Sequence, residues 1–326
     1  MFLPDFHIEI KFGRFAMDNR YRLVTRSDMD GLICAALLKE LDLIDDIKFV
    51  HPKDMQDGII HITKNDIITN LPYIKSAYLV FDHHLSETIR NDLEINHIID
   101  PDAPSAAEVV YQYFGVEDRF GSRFKEMLEA ANKSDSADFT IDEILDPKGW
   151  DLLSFIMDSR TGLGRFREFR ISNYELMMNL IDYCLEHDID EIMSLPDVVE
   201  RVKLYHRYSE EAIDQLYNCS TLHDNCVVLD LTKEDIIYPT NRFMIYALYL
   251  EAEISIHKIW GYQRKNIVFA VGKSILNKNS TINIGELMLD LEGGGHRNAG
   301  TCQIPADQAD TTLESILEYI TCLYVK

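Results

Sequence analysis

Apolar and polar positions follow two rhythms along this chain. "YRLVTRSDMDGLICAALLKEL" (21–41) begins as a β-branched strand, passes a polar turn and continues with helical apolar spacing. "IKFVHP" (47–52) reads as a second strand, "IIHITKNDII" (59–68) as a third and "SAYLVFDHH" (76–84) as a fourth. A short fifth strand, a Pro-containing loop and a helix lie in "EINHIIDPDAPSAAEVVYQYFGV" (94–116). Alternating strands and helices predict a doubly wound, mainly parallel α/β sheet, in which ligands bind beyond the carboxyl ends of the strands. From about residue 121 the periodicity turns helical, through "SRFKEMLEAANKSD", "DLLSFIMDSR", "SNYELMMNLIDYCLEH" and "PDVVERVKLYHRYSEEAIDQLYNCS". Strand patterns return in "NCVVLDLT", "EISIHKIW" and "NIVFAVG", and "TTLESILEYITCLY" is an amphipathic helix. The expected organisation is an α/β domain over 1–190, a helical connector over 191–220 and a smaller mixed α/β domain over 221–326.

The length of 326 residues agrees with two domains. No apolar run approaches the roughly 20 residues that span a bilayer. The opening "MFLPDFHIEIKFGRF" mixes acids with apolar residues, unlike a signal peptide, so a cytoplasmic location is expected. Cysteines 34, 184, 219, 226, 302 and 322 form no C-x-x-C pair and read as reduced thiols. A formal charge of −23 disfavours long duplex DNA and favours a small anion held in a local cationic or metal-lined pocket.

Acids stop several of the predicted strands and turns: Asp28 and Asp30 in "TRSDMDG", Asp66 in "KNDII", Asp82 before His83 and His84, and Asp135 in "NKSDSADF". Each piece alone has a plainer reading, as a turn, a cap or a surface residue. Gathered at one sheet end, such carboxylates repel one another unless cations lie between them. Oxygen ligands with an imidazole suit Mn²⁺ or Mg²⁺, and two such ions about 3.5–4 Å apart can activate a water for attack on a phosphoryl group.

"VTRSDMDG", "FDHH", "IIDPDAPSAAEVVYQYF" and "LEGGGHRNAGTCQI" together resemble the DHH phosphoesterase superfamily with its DHH-associated C-terminal domain, over nearly the whole chain. The resemblance implies a hydrolase of phosphate esters or anhydrides with a divalent, usually manganese, centre of one or two ions in an interdomain cleft. It implies metal ligands at Asp28, Asp30, Asp66, His83 and Asp135, the last preferred to Asp138. Asp82 would support His83, and His84 would face phosphate. The loop around Gly294, Gly295, His296 and Arg297 would bind substrate together with Lys273. The expected substrate is a short oligonucleotide or dinucleotide, with polyphosphate, or a nucleotide-binding regulator of reduced turnover, as alternatives. No membrane partner is expected, and the oligomeric state is open between monomer and homodimer.

Arg26 and Val24 depart from the pattern, since many relatives place a histidine or acid at these positions. Arginine stays protonated and cannot ligate a cation. Either one metal position is weak, or Arg26 stabilises phosphate charge, or turnover is impaired; an ion pair with the acids is the plainer role. The arginines of "DSRTGLGRFREFR" (158–170) read first as an ion-pair network and second as a phosphate grip. Ser105 reads as a helix cap.

Overall fold

The computed structural model describes residues 20–92, 94–115 and 120–322. The expectation drawn from the first fifteen residues lies outside this range. In chain order the strands are β1 (Tyr21–Thr25), β2 (Ile44–Phe49), β3 (Asp66–Thr69), β4 (Leu79–Asp82), β5 (His97–Ile99), β6 (Ser220–His223), β7 (Cys226–Asp230), β8 (Ile254–Trp260), β9 (Ile267–Lys273), β10 (Gly294–His296) and β11 (Ala299–Ile304). The helices are α1 (Met29–Glu40), α2 (Pro52–Gln56), α3 (Leu85–Arg90), α4 (Ala106–Phe114), α5 (Arg123–Ser136), α6 (Ile141–Leu145), α7 (Gly149–Met157), α8 (Asn173–Glu186), α9 (Ile189–Ser194), α10 (Pro196–Arg207), α11 (Ser209–Asn218), α12 (Met244–Leu248), α13 (Ile284–Leu289) and α14 (Ala309–Cys322).

The first sheet is parallel throughout, in the order β2-β1-β3-β4-β5. Its central strands are buried on both faces. Leu23, Ile67 and Phe81 pack with α1, while Val24, Ile68 and Val80 join Met55 and Leu71 behind the sheet. Burial on both sides is the ordinary condition of a parallel sheet and makes its strands short and continuously apolar. Helix α1 is buried from Met29 to Leu38. In this strand order the topology reverses between β1 and β3, which places the crevice at the carboxyl ends of those strands.

The third strand differs from its sequence reading. Residues 59–65 form no strand; pairing begins at Asp66 rather than ending there. The long helix read over 196–220 is broken at Tyr208 into α10 and α11.

The second sheet is mixed, ordered β10-β11-β9-β8-β7-β6, with β7 and β8 parallel and its other pairs antiparallel. Ile254, Ile256, Phe269 and Val271 on one face pack with α14 through Ile316 and Ile320. Toward the helical segment, Phe139, Phe155 and Phe243 form an aromatic group with Leu216, Val227 and Leu229. This cluster ties the second sheet to helices α6 and α7.

Candidate active site

The turn after β1 is shaped by its glycine. A side-chain carbon at Gly31 would fall 2.0 Å from the Arg26 carbonyl oxygen, so the chain turns tightly only with glycine there. Asp28 caps α1, its Oδ1 accepting from the Gly31 amide at 3.0 Å. Asp30, in the first turn of α1, is 1% exposed, and its two oxygens accept from the amides of Ala106 and Ala107 at the start of α4, at 3.0 and 2.7 Å. Ser105 caps α4 by accepting from the Glu108 amide at 3.0 Å, as its position suggested.

β4 carries Asp82 at its carboxyl end. The Asp82 Oδ1 accepts from the His83 and His84 amides and from the His84 Nδ1 at 2.6 Å. The bond holds the imidazole in one tautomer, with Nε2 as its free nitrogen. His83 lies 3.2 Å by its Nδ1 from the Ala103 carbonyl, which can only accept, so Nδ1 carries a proton and Nε2 is the nitrogen turned to the acids. That nitrogen is buried and lies 2.9 Å from Asp135 Oδ2.

Ligand atoms of Asp30, His83 and Asp135 lie within 4.8 Å of one another, on three separate elements. The electrostatics follow from the crowding of these groups. Burial, reinforced by Asp135 and Asp28, lifts the Asp30 carboxyl to about 7. Burial pushes the His83 imidazole down, but Asp135 outweighs it and raises it to about 9. Two carboxylates and an imidazole nitrogen converge where positive charge, a proton or a cation, is favoured. This donor set fits a divalent cation.

The structure brings the other expected residues to different places. Asp28 stands beside the cluster, paired with Arg26 Nε at 3.1 Å; burial raises its pKa, which Arg26 opposes. Asp66 does not reach the cluster. It sits at the amino end of β3, at the opposite end of the sheet from the cluster, where Arg22 Nε donates to it at 2.6 Å and the Thr63 amide at 2.6 Å. The expectation of a metal-bridging acid at 66 is therefore corrected: the strand starts at that residue, and the carboxyl end of β3 is occupied by Asn70, whose Nδ2 lies 3.5 Å from Asp28. Asp66→Ala should leave hydrolysis unchanged but lower stability by about 1–3 kcal/mol, because Arg22 and Thr63 lose their acceptor; thermal melting beside an activity assay checks both.

"GGGHRNAG" forms a hairpin, β10 to β11, turning at Arg297 and Asn298. Gly295 is required by close packing, since a side-chain carbon would meet the Ala299 oxygen at 2.3 Å. Gly294, Gly295, His296, Arg297 and Lys273 line a cleft of about 1080 Å³ that also reaches Asp135. Burial lowers the His296 pKa, helped by the neighbouring His84 and Arg242. The Lys273 amine donates to the Ser280 carbonyl at 3.1 Å.

Two further arginines line this cleft, Arg160 from the segment read as an ion-pair network or phosphate grip, and Arg242, which the sequence reading did not single out. Arg160 grips Asp158 at 2.7 and 3.0 Å through Nε, and its charge is felt at Asp28 and Asp135. Arg242 lies 3.7 Å from Asp158, and its Nε is buried without a hydrogen-bond partner. Burial, then Arg160, lowers the Arg242 pKa to about 10. Arg165 lines the same cleft, whereas Arg170 is bound to Asp197, so the "DSRTGLGRFREFR" arginines divide between cleft and ion pair.

Comparison with solved structures decides the family. The pGpG-specific phosphodiesterase PggH from Vibrio cholerae is 56% identical to this chain, over 93% of this chain and 99% of that one, with a TM-score of 0.81. The chain belongs to the DHH phosphoesterase family. It is a hydrolase acting on phosphate ester bonds. RecJ from Thermus thermophilus, in complex with Mg²⁺, shares the fold at 14% identity, over 93% of this chain and 49% of that one, with a TM-score of 0.52. No family model matches, and no curated protein matches. Among the described residues, no helix is long and apolar enough to cross a membrane, and five described cysteines are free.

Proposed function

We propose that this phosphoesterase cuts a short linear dinucleotide, pGpG foremost, into two mononucleotides with the help of a divalent cation. The similarity to a pGpG-specific phosphodiesterase along 99% of that protein's length carries the reading. In it, residues 1–190 carry the catalytic acids, 191–220 connect, and 221–326 bring the substrate loop.

Asp30, His83 and Asp135 would hold one Mn²⁺ or Mg²⁺ ion. Such an ion supplies positive charge for the phosphoryl oxygens and lowers the pKa of a water. Arg26 neutralises Asp28, and Asn70 brings an amide where a second ion would need a carboxylate; both support a single ion. His84, held by Asp82, presents its Nε2 to the scissile phosphate. His296 approaches from the β10–β11 hairpin. The Gly294 and Gly295 amides, Lys273, Arg297, Arg160 and Arg242 surround the anionic substrate with donors. A cationic interior on a chain of net charge −23 admits a small anion while the outer surface disfavours long nucleic acid.

Asp82→Asn should lower kcat about 10- to 100-fold at nearly constant KM, since it removes the about 1.5–3 kcal/mol of a charge-assisted hydrogen bond orienting His84. Steady-state kinetics on the dinucleotide would measure it. The proposal itself is tested by chromatography of products from pGpG, longer RNA, a cyclic dinucleotide, single-stranded DNA and polyphosphate with added Mn²⁺, using Asp135→Asn as control. Conversion of pGpG to GMP supports it; turnover confined to another member of the panel refutes the substrate.

A further inference from the structure

The cleft has two chemically different parts, and the charged one alone has been assigned. Arg160, Arg242 and His296 influence Asp135 or one another, so they cluster near the acids. The remainder of the cleft is floored by the inner face of the second sheet. Strand register places Ser255, Gly272 and Ala299 side by side on one rung, and His257, Ala270 and Thr301 on a rung two residues along. All six line the cleft. On β9 the outward Ile267, Phe269 and Val271 are buried, whereas Val268, Ala270 and Gly272 are only partly covered. Small side chains across three strands leave room above the sheet. Leu229, Leu231, Ile237 and Ile259 bound it with apolar surface.

His257 is the exception on that floor. No hydrogen-bond partner for it occurs among the described residues, although Ser255 beside it is bonded to the Tyr246 hydroxyl at 2.8 Å. Burial alone pushes its pKa down to about 4, with no charged neighbour contributing. The imidazole is therefore neutral, presents one donor and one acceptor, and stands apart from the charged end. A cleft that is cationic at one end and lined by small and apolar side chains at the other, with one neutral donor–acceptor among them, matches a nucleotide in its chemistry. Its volume, about 1080 Å³, is at the upper end of small-molecule sites.

We propose that the sheet floor formed by Ser255, Gly272, Ala299, Ala270 and Thr301 seats a purine base of the substrate, with His257 as the polar contact that orients it. Purine edges carry acceptors at N7, and at O6 in guanine or a donor at N6 in adenine, and a neutral imidazole can pair with either set. The inference rests on the dinucleotide reading, and it makes His257 a specificity residue that takes no part in the bond cleavage.

The test reads binding, so that it stands apart from turnover. The full chain, with Mg²⁺ in the buffer, is titrated calorimetrically with GMP, AMP, UMP and ribose 5-phosphate. GMP and AMP should bind about tenfold or more tightly than ribose 5-phosphate and more tightly than UMP. His257→Ala should weaken the purine nucleotides about tenfold and leave ribose 5-phosphate unchanged. Ala270→Leu, which raises the floor beside the imidazole without removing it, should do the same. Equal affinity for GMP and ribose 5-phosphate, or purine binding that neither variant changes in a folded protein, overturns the seat. Failure to hydrolyse pGpG with purine binding intact would count against the proposed function alone.

Discussion

Asp135→Asn is expected to cut dinucleotide hydrolysis by about 10³-fold, equivalent to about 4 kcal/mol of transition-state stabilisation. The residue comes from the last turn of α5, yet it completes the cluster with Asp30 and His83 and lines the substrate cleft. Asparagine has nearly the same shape but no charge, so the fold should persist while divalent-cation binding weakens. Melting curves with and without Mn²⁺ separate these effects. The wild-type protein should gain thermal stability as Mn²⁺ rises above its dissociation constant, by about 2.7 kcal/mol at a hundredfold excess, and the variant should gain far less at the same concentration. A variant that keeps both activity and Mn²⁺-dependent stabilisation would remove Asp135 from the centre.

The second large effect is expected at Arg160. Arg160→Met should raise KM for pGpG about 10- to 100-fold, the range for losing a charge-assisted contact to phosphate. Methionine keeps much of the apolar stem, so packing is little disturbed. Asp158 remains near Arg242, which limits the electrostatic damage to the fold. The diagnostic is the salt dependence of KM: raising ionic strength should weaken substrate binding in the wild type and do so less steeply in the variant. Equal slopes would assign Arg160 to the structural pair with Asp158 alone.

The α/β architecture was legible because its helices and strands carry local signals that agree with burial. The turn "SDMDG", the capped α4 and the strand ending in Asp82 all lie where apolar periodicity places them. The third strand was not legible in the same way. "IIHIT" alternates like a half-exposed strand, yet Ile59 is 67% exposed and the pairing segment is the short run Asp66–Thr69, all four residues buried. A central parallel strand need not alternate. That displacement carried Asp66 from the carboxyl end of the sheet to the amino end and hid Asn70. Arg242 had no local signal, since it follows a Pro-Thr-Asn loop about a hundred residues from the acids. Its position depends on Asn241, whose Nδ2 donates to the Ile144 carbonyl at 3.0 Å and to the Tyr205 hydroxyl at 3.1 Å. The β10–β11 hairpin was read as a loop because glycine has low strand preference; pairing of β11 with β9 supplies the order that composition does not.

The bonds from Ala106 and Ala107 to Asp30 give the chain an internal gauge. Both amides lie at the start of α4, where no carbonyl earlier in the helix can receive them, and they end on a carboxylate whose charge depends on what occupies the neighbouring cluster. Their hydrogen–deuterium exchange should therefore slow when a cation fixes Asp30 as its anion and quicken when the cation is chelated. Two backbone positions some 76 residues along the chain would thus report the state of the catalytic centre without any label placed in it.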